Sequence, residues 1–496
     1  MIKKKLITTL GFILIRGICL AQKEGNQWIS FEGSGLDFNN DSTIAVEFPS
    51  DMPIWRCNAS ICDKDGKLMF YTNGLNIYNR DFQLMKNGKN LNLGNFSFWN
   101  PIHDGAVIIP FVGDSNKFYL FHTDLDNIEI GGTPDLTTMN LYYDVIDMKL
   151  YGGKGGVISD QKELILFSDT LTDSGIQAVK HGNGRDWWLL CHEYGNNNYY
   201  RFLIDNTGIH GPYSQNIGMI YTGFNATGYF CNAKFSQAGN QFIKNNHDST
   251  VFELYSFNRC SGELSNRKQI RVSDSLYQLE GLSFSPSGRY AYLSANHWQY
   301  LFQFDLQADD IQASRVLIGV YNDSLNPLIT DFYDHQLGPD GKIYICNYDG
   351  NASLHVINDP DSAGLKCNFV QNGITLYPHT YWGSGFPNLP NYHLGPLEGS
   401  ECDTTFTSLP GVKDVAFTHS IYPNPCFQTT QLTITGVKEV SISIYSAMGV
   451  LIYNPTVQPM NGFVHVFINL QDQTAGVYLL KAKTDRGEVT EKILKE

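Results

Sequence analysis

A polar turn followed by an aromatic-rich strand recurs along most of this chain, and this repeat limits the possible folds more than any other feature. Three clear copies are Asp63–Tyr71, Ser285–Tyr292 and Gly338–Ile345. Three degenerate copies are Gly113–Tyr119, His181–Trp187 and Ser236–Phe242. A glycine-containing turn before such a strand indicates a β-hairpin. The copies therefore predict a series of similar hairpins spaced by about fifty residues, with one longer interval.

A four-stranded sheet repeated at this period is typical of a β-propeller. One such sheet cannot bury both of its faces alone, whereas radial stacking covers the faces and leaves only short edges. Six units fit between Cys57 and Leu376, and we expect Trp28–Glu32 and Gly385–Tyr392 to pair and complete a seventh. The sequence therefore predicts an all-β chain with a seven-bladed β-propeller over residues 22–392, with six blades as the alternative.

The C-terminal end has a different pattern, in which apolar and polar residues alternate. Val440, Ile442 and Ile444 point one way in such a strand, and the same period continues through Phe463–Leu470. A period of two residues indicates strands with one buried face. Glycines such as Gly436 separate six or seven strand-like runs. This arrangement predicts a small immunoglobulin-like β-sandwich at residues 418–496.

Two motifs and the end of this tail are more specific than the strand pattern. The motifs are Tyr422-Pro423-Asn424-Pro425 and Ala475-Gly476-Val477-Tyr478, and the terminal segment contains Lys492. They resemble the C-terminal sorting domain of the type IX secretion system of Bacteroidetes bacteria, the Por secretion tail family. Trp28–Phe31, Phe70–Gly74 and Gly385–Leu389 also resemble propeller regions of Bacteroidetes surface proteins. The resemblance implies that the type IX secretion machinery recognises the tail, and that the mature protein is secreted or attached to the outer-membrane surface.

The N-terminus agrees with export. Lys3, Lys4 and Lys5 precede the mostly apolar stretch Leu6–Ile15, and Cys19-Leu20-Ala21 offers a cleavage site. These are the parts of a secretory signal peptide, which we place at residues 1–21. A lipoprotein signal using Cys19 fits less well, because Arg16 stands where an aliphatic residue is needed. No later run approaches the roughly eighteen apolar residues of a membrane-spanning helix, and residues 393–417 have the composition of a linker.

Charge and cysteine content exclude some functions and leave others open. The formal net charge is −14, without a cluster of Lys and Arg beyond the signal peptide, so nucleic acid is not an expected partner. The chain has ten cysteines, one of which lies in the signal peptide. An exported protein can form disulfides. The candidate pairs are Cys57–Cys62, Cys231–Cys260 and Cys367–Cys402, and buried free thiols are the alternative.

Common catalytic and metal-binding motifs are missing from the sequence. Gly152–Gly156 lacks the spacing of a phosphate-binding loop, and His192-Glu193 has no second His at the metalloprotease spacing. No Gly-x-Ser-x-Gly motif is present. Asp63–Gly66 lacks the distant Glu of a calcium loop. We therefore predict no cofactor, no metal and no catalytic residue that a motif identifies.

Polar residues at the starts of innermost strands form a less specific candidate site, because those ends surround the central channel of a propeller. By alignment of the repeats, these residues are Arg56, His103, Asp104, Gln177, Glu280, Asp334 and His335. Converging carboxylates and imidazoles can bind a metal or act as acid and base. Propeller channels are also lined by polar residues without any such role, and we favour this second interpretation.

Two functions from different classes are compatible with these features. Adjacent aromatic residues such as Trp187-Trp188, Tyr199-Tyr200 and Tyr381-Trp382 are expected to place one ring between blades and the other outside. Outward Trp and Tyr rings suit contacts with proteins or glycans. We therefore predict a non-catalytic binding or scaffold protein with an extracellular protein or glycan as partner. The alternative is a propeller hydrolase or lyase that acts on a polysaccharide or another extracellular polymer.

Overall fold

The computed structural model describes residues 23–403 and 418–496, except 41, 92–99, 125, 131–132, 173–174, 221–231, 247–248, 273–277, 297–298, 323–330, 349–350, 378–379, 447–448, 456 and 460–461. The predicted signal peptide and most of the predicted linker lie outside the described residues. The chain divides into two compact units, Met1–Asp403 and Thr404–Glu496. Each unit is built from antiparallel β-sheets.

Seven sheets follow one another in the first unit, and consecutive strands pair in most of them. The first sheet contains β1 (Gln27–Ile29), β2 (Ser34–Asp37) and β3 (Ile44–Glu47), and the second contains β4 (Ala59–Cys62), β5 (Leu68–Thr72) and β6 (Ile77–Asn79). The third sheet contains β7 (Ala106–Pro110), β8 (Lys117–Thr123), β9 (Asp126–Ile130), β10 (Thr133–Asp147), β11 (Gly156–Val157) and β12 (Leu164–Leu171). In the third sheet the long strand β10 pairs with β8, β9, β11 and β12.

The other four sheets of this unit each have four strands in sequence order. The fourth sheet contains β13 (Gln177–Lys180), β14 (Trp187–His192), β15 (Asn198–Asp205) and β16 (Gly208–Asn216), and the fifth contains β17 (Ala233–Phe235), β18 (Gln241–Asn245), β19 (Val251–Asn258) and β20 (Glu263–Arg271). The sixth sheet contains β21 (Leu279–Phe284), β22 (Tyr290–Ala295), β23 (Tyr300–Asp305) and β24 (Val316–Val320). The seventh contains β25 (His335–Leu337), β26 (Ile343–Ile345), β27 (Ser353–Ile357) and β28 (Phe369–Thr375). Short 3-10 turns lie at Phe31–Gly33, Leu150–Gly153 and Gly364–Cys367.

The seven sheets form a closed ring around a central channel. The first strand of each sheet contacts the first strand of the next, from β1 through β4, β7, β13, β17 and β21 to β25. The last sheet then packs on the first, because the Tyr344 ring lies 5.6 Å from the rings of both Trp28 and Phe38. The Thr43 hydroxyl also donates a hydrogen bond to Asp340. The predicted seven-bladed propeller is therefore confirmed.

The composition of the blade that closes the ring differs from our expectation. Strand β1 pairs with β2, and β2 pairs with β3, so the N-terminal segment forms this blade alone. Residues Gly385–Tyr392 are not in a strand. The prediction that they pair with Trp28–Glu32 was wrong, because residues 34–47 supply the strands of this blade.

The repeated turns connect the first and second strands of their sheets, as the sequence predicts. In three of them Gly66, Gly288 and Gly341 adopt φ values of 84°, 72° and 78°, which favour glycine. A Cβ atom at Gly66 would lie only 1.9 Å from the Asn39 side-chain oxygen. The turn glycine is therefore required here both for its backbone conformation and for the close approach of the first blade.

The second unit contains two facing sheets. One has the order β29 (Thr418–Tyr422), β30 (Thr429–Thr435) and β33 (Phe463–Asn469), and the other has the order β32 (Leu451–Tyr453), β31 (Val440–Ser446), β34 (Gly476–Thr484) and β35 (Gly487–Lys495). Buried and exposed side chains alternate along β33, which confirms the period-two strand prediction. Aliphatic residues such as Ile434, Ile444 and Ile468 fill the space between the sheets. The finer assignment to an immunoglobulin-like topology stays a prediction.

Candidate functional site

Residues 383–397, which we call the strap, cross the channel of the propeller without forming a strand. The Asn388 backbone N–H donates to the Asn58 carbonyl at 2.8 Å, and the Asn388 side-chain amide donates to the carbonyls of Ile176 and Asp104 at 2.8 and 3.3 Å. Further along, the Tyr392 hydroxyl donates to the Ile108 carbonyl at 2.9 Å. The strap thus connects three blades through groups that only a closed ring brings together.

The C-terminal end of the strap is fastened to the surface of the fifth blade. The Arg259 guanidinium donates to the Gly395 carbonyl at 2.7 Å, and a disulfide joins Cys260 to Cys402. Residues 393–403, which the sequence assigned to the linker, therefore pack on the first unit. This bridge corrects the expected pairs: Cys57, Cys62 and Cys367 are buried free thiols, and Cys231 lies outside the described residues.

All seven candidate channel residues are buried, and Asp104 has two polar side chains as neighbours. Its carboxylate accepts a hydrogen bond from the Gln177 amide at 2.8 Å and contacts the Lys234 ammonium at 3.1 and 3.3 Å. Burial raises the pKa of Asp104 above its ordinary value, and Lys234 partly offsets this effect. Burial lowers the pKa of Lys234, but the nearby carboxylates of Asp104 and Asp334 outweigh it and raise the pKa overall.

Asp334 is a second carboxylate of the same group, and both of its oxygens bind backbone N–H groups. One oxygen accepts from the His335 N–H at 2.8 Å and the other from the Phe386 N–H of the strap at 3.1 Å. Burial is the main cause that raises the pKa of Asp334 to about 6, with Lys234 acting in the opposite direction. This carboxylate is therefore a structural link between the channel wall and the strap.

The two candidate imidazoles are neutral side chains with hydroxyl partners. His103 Nε2 lies 2.7 Å from the Tyr333 hydroxyl, and His335 Nε2 lies 2.7 Å from the Ser294 hydroxyl. Burial lowers the pKa of His335 to about 3 and that of His103 well below its ordinary value. Both rings therefore stay uncharged at neutral pH in the folded protein.

Arg56 and Glu280 complete the candidate set. The Arg56 guanidinium lies over the rings of Tyr333 and Tyr348, at 5.6 and 5.1 Å from their centroids. Glu280 is buried, and its backbone carbonyl accepts hydrogen bonds from the side chains of Asn232 and Asn245. The structure thus joins Asp104 to Gln177, brings Asp104 and Asp334 near Lys234, and places His103 and Arg56 against the same Tyr333 ring. Sequence reasoning missed Lys234, whose Asp104 partner is 130 residues away and gives no local signal.

One large cavity, of about 730 Å³, opens beside this group, and we call it the channel cavity. It is lined by parts of the first strands β13, β17, β21 and β25, by the N-terminal segment before β1, and by residues 388–394 of the strap. Gln177, Lys234 and His335 line it, whereas the carboxylates of Asp104, Asp334 and Glu280 lie outside its lining. Among the described residues, no three His, Cys, Asp or Glu side chains could together hold a metal ion.

Pairs of adjacent aromatic residues differ in how many of their two rings are buried. Trp187 and Trp188 are both buried, which corrects the expectation that one of them faces outward. Tyr381 is 49% exposed while Trp382 is fully buried, as expected for alternating sides. The difference arises because β14 is a central strand of its blade and is covered on both faces.

The motif residues of the second unit meet at the last strand. The Asn424 side chain donates to the Lys492 carbonyl at 2.6 Å and accepts from the Leu494 N–H at 2.8 Å. Pro423 contributes a carbonyl that accepts from the Thr430 hydroxyl. Tyr422 is 80% exposed, and Tyr478 is buried with its hydroxyl on the Thr474 carbonyl. We call the two hydrogen bonds between Asn424 and the last strand the Asn424 clamp. Pro425 directly follows Asn424 in the sequence, and Gly476 begins β34 with a φ of 151°.

Comparison with known proteins separates the two units. Residues 420–496 match the family model of the secretion system C-terminal sorting domain. No curated protein matches the chain. Solved structures similar to the chain include candidate 6-phosphogluconolactonases from Bacteroides uniformis (12% identity, 73% of this chain and 98% of that chain, TM-score 0.42) and Bacteroides fragilis (11%, 73% and 98%, 0.39). Another is a periplasmic gluconolactonase from Pseudomonas aeruginosa (11%, 57% and 89%, 0.34).

These structural similarities are too weak to transfer an activity to this chain. No helix among the described residues is long and apolar enough to cross a membrane. The family match indicates where the protein is located, since such a domain directs export followed by secretion or attachment to the cell surface. Residues 420–496 are therefore a type IX secretion system C-terminal sorting domain of the Por secretion tail family, carried by a chain whose first unit is a β-propeller.

Proposed function

We propose that the exported propeller is a non-catalytic binding protein. The observation that supports this function most directly is that the carboxylates of Asp104 and Asp334 are engaged with neighbouring side chains, with the channel wall and with the strap. Asp104 contacts Gln177 and Lys234, and Asp334 accepts two backbone N–H groups. A general acid or base must reach the proton it transfers, either directly or through one water. These carboxylates serve the packing of the channel instead.

The neighbouring channel cavity gives such a protein a place to bind a ligand. A volume of about 730 Å³ lies in the range of known ligand sites. Its walls are first strands that are buried within the ring and the strap that crosses it. A binding site on such elements is preformed, which limits the entropy lost when the ligand binds.

Turnover assays on the purified full-length chain test the absence of catalysis. We expect no product from a panel of polysaccharides, oligosaccharides and lactones at any pH between 5 and 8. Product formation that Asp334→Asn or Asp104→Asn abolishes, in variants whose thermal unfolding stays cooperative, would contradict the proposal. The matched control is Asp65→Asn, an exposed carboxylate in the first repeated turn.

A hydrolase or lyase acting on an extracellular polymer is the second candidate, and one observation favours it. Burial raises the pKa of Asp334 to about 6, close to the pH at which general acids work. However, Asp334 does not line the channel cavity, and the strap N–H occupies one of its oxygens. The enzyme would therefore need the strap to move, which the turnover assay detects.

A further inference from the structure

We infer that the channel cavity binds the end of a neutral oligosaccharide, an inference that rests on the proposed binding function and names its ligand class. The polar part of the lining is dominated by side-chain amides, namely Asn26, Asn40, Gln177, Gln237, Gln336, Asn388 and Asn391. An amide can both donate and accept hydrogen bonds, and so can each hydroxyl group of a sugar. The nitrogens of Asn26, Gln177, Gln336, Asn388 and Asn391 already donate within the protein, whereas Asn40 and Gln237 lie at exposed positions of the lining. This lining therefore matches a ligand rich in hydroxyl groups.

The charged groups of the cavity are few, and the protein already engages most of them. Apart from histidines, the lining contains Lys23, Lys234 and Asp340. Lys234 contacts Asp104, and Asp340 accepts hydrogen bonds from the hydroxyls of Thr43 and Tyr344 at 2.9 and 2.7 Å. An ionic ligand would find little free charge to compensate its own, whereas a neutral ligand does not need any.

Two buried polar atoms of the lining have no hydrogen-bond partner among the described residues. They are the Ser283 hydroxyl on β21 and His335 Nδ1 on β25. The strands β21 and β25 begin neighbouring blades that contact each other, and both residues belong to the lining of the cavity. Buried polar groups normally have partners. A ligand hydroxyl group can bind such groups, because it donates to the imidazole nitrogen and accepts from the serine.

An aromatic ring at the wall completes the match with a sugar. Phe235 on β17 is only partly buried and belongs to the lining. Its inner side packs on Phe242 and Phe257, with centroid distances of 4.9 Å to both. The remaining ring surface offers an apolar platform for the C–H face of a sugar ring. The lining of the cavity therefore combines amides, unpartnered polar atoms and a fixed ring.

The test is binding of the full-length chain to equal panels of neutral oligosaccharides, anionic oligosaccharides and peptides, followed by calorimetric titration. We expect neutral oligosaccharides to bind. Ser283→Ala should weaken this binding about tenfold, because it removes one hydrogen bond to the ligand. Ser265→Ala, on the exposed outer strand β20, is the matched control and should bind unchanged. Asn40→Ala, at an exposed position of the lining, should weaken binding several-fold without any risk to the core.

The possible results separate this inference from the function on which it rests. Binding only to anionic oligosaccharides or only to peptides would overturn the ligand class and leave the binding function intact. Equal affinity of the wild type and both lining variants would place the glycan site elsewhere and overturn the inference. Binding with release of new reducing ends would overturn the non-catalytic function while keeping the ligand class. No binding in any panel would overturn both.

Discussion

The propeller and the sorting domain are both antiparallel β-structures, yet they bury different side chains. The sorting domain core consists of aliphatic residues together with Tyr478 and Cys426, and its strands show one face to solvent. The centre of the propeller instead contains the buried Asp104 and Asp334 and the partly buried Lys234. A sandwich can be stabilised by apolar burial alone. A ring leaves a channel at its centre, and polar groups there must find partners among distant blades.

The same difference determines what each unit can do. In the sorting domain, the Asn424 clamp holds the last strand through two hydrogen bonds. On the proposed function, the propeller acts through an interior space that the strap helps to line. Export and ligand binding are therefore expected to depend on different residues of the chain.

Removal of residues 418–496 should have the largest effect. We expect the truncated protein to accumulate in the periplasm, because the secretion machinery has lost its recognition signal. Fractionation with an antibody against the propeller measures the distribution. As the control, residues 404–496 fused to a periplasmic reporter should carry that reporter out of the cell. Normal secretion of the truncated chain would contradict the separation of functions.

A pair of neighbouring substitutions tests the alternation in the sorting domain. Ile468 is fully buried on β33 and Phe467 is 72% exposed. Ile468→Ala should lower the free energy of unfolding of this domain by about 2–5 kcal/mol, whereas Phe467→Ala should change it by less than about 0.5 kcal/mol. Chemical denaturation followed by circular dichroism measures both. Equal effects of the two variants would show that β33 lacks a single buried face.

Disulfide removal tests how the strap is fastened in the propeller. Cys402→Ser breaks the bond to Cys260 and should lower the free energy of unfolding of the propeller by about 2–4 kcal/mol. Reduction of the wild type should produce the same shift in the denaturation midpoint and have no effect on the variant. An unchanged midpoint in both experiments would mean that residues 393–403 do not stabilise the first unit.

The pH dependence of stability distinguishes the polar centre from an apolar core. The folded-state pKa of Asp334 is about 6, against 3.8 as its ordinary value, so the folded protein binds this proton more tightly than the unfolded chain. Its contribution to stability is present below about pH 4 and is lost as the pH rises through about 6. The loss amounts to about 3 kcal/mol at most.

Asp334→Asn should therefore gain stability relative to the wild type as the pH rises from about 4 to about 7. Comparison with the wild type is needed because His335, whose folded pKa is about 3, changes stability in the opposite direction over this range. Urea denaturation at both pH values measures the difference, and Asp65→Asn is the control. A constant difference between Asp334→Asn and the wild type would contradict a buried, protonatable Asp334.

The sequence predicts the parts of this structure that depend on neighbours in the chain. The turn glycines Gly66, Gly288 and Gly341 stand where the repeat places them, and the alternation of Phe463–Leu470 predicts β33. The positions of the channel candidates also follow from the repeat, because each first strand begins at the channel.

Long-range contacts explain what the sequence could not predict. Asn388 has no local signal, since its partners Ile176 and Asp104 are brought to it only by ring closure. The partner of Lys234 and the Cys260–Cys402 bridge have the same origin, with separations of 130 and 142 residues. The first blade was misassigned because its second and third strands, Ser34–Asp37 and Ile44–Glu47, are short and outside the repeat.

Hydrogen–deuterium exchange of the full-length chain tests most directly whether the strap closes a rigid polar channel. We expect the N–H groups of Phe386 and Asn388, which bind Asp334 and Asn58, to exchange as slowly as those of the first strands β21 and β25. Exchange of this segment as fast as that of an exposed turn would show that the channel is open and that its carboxylates are accessible to substrate.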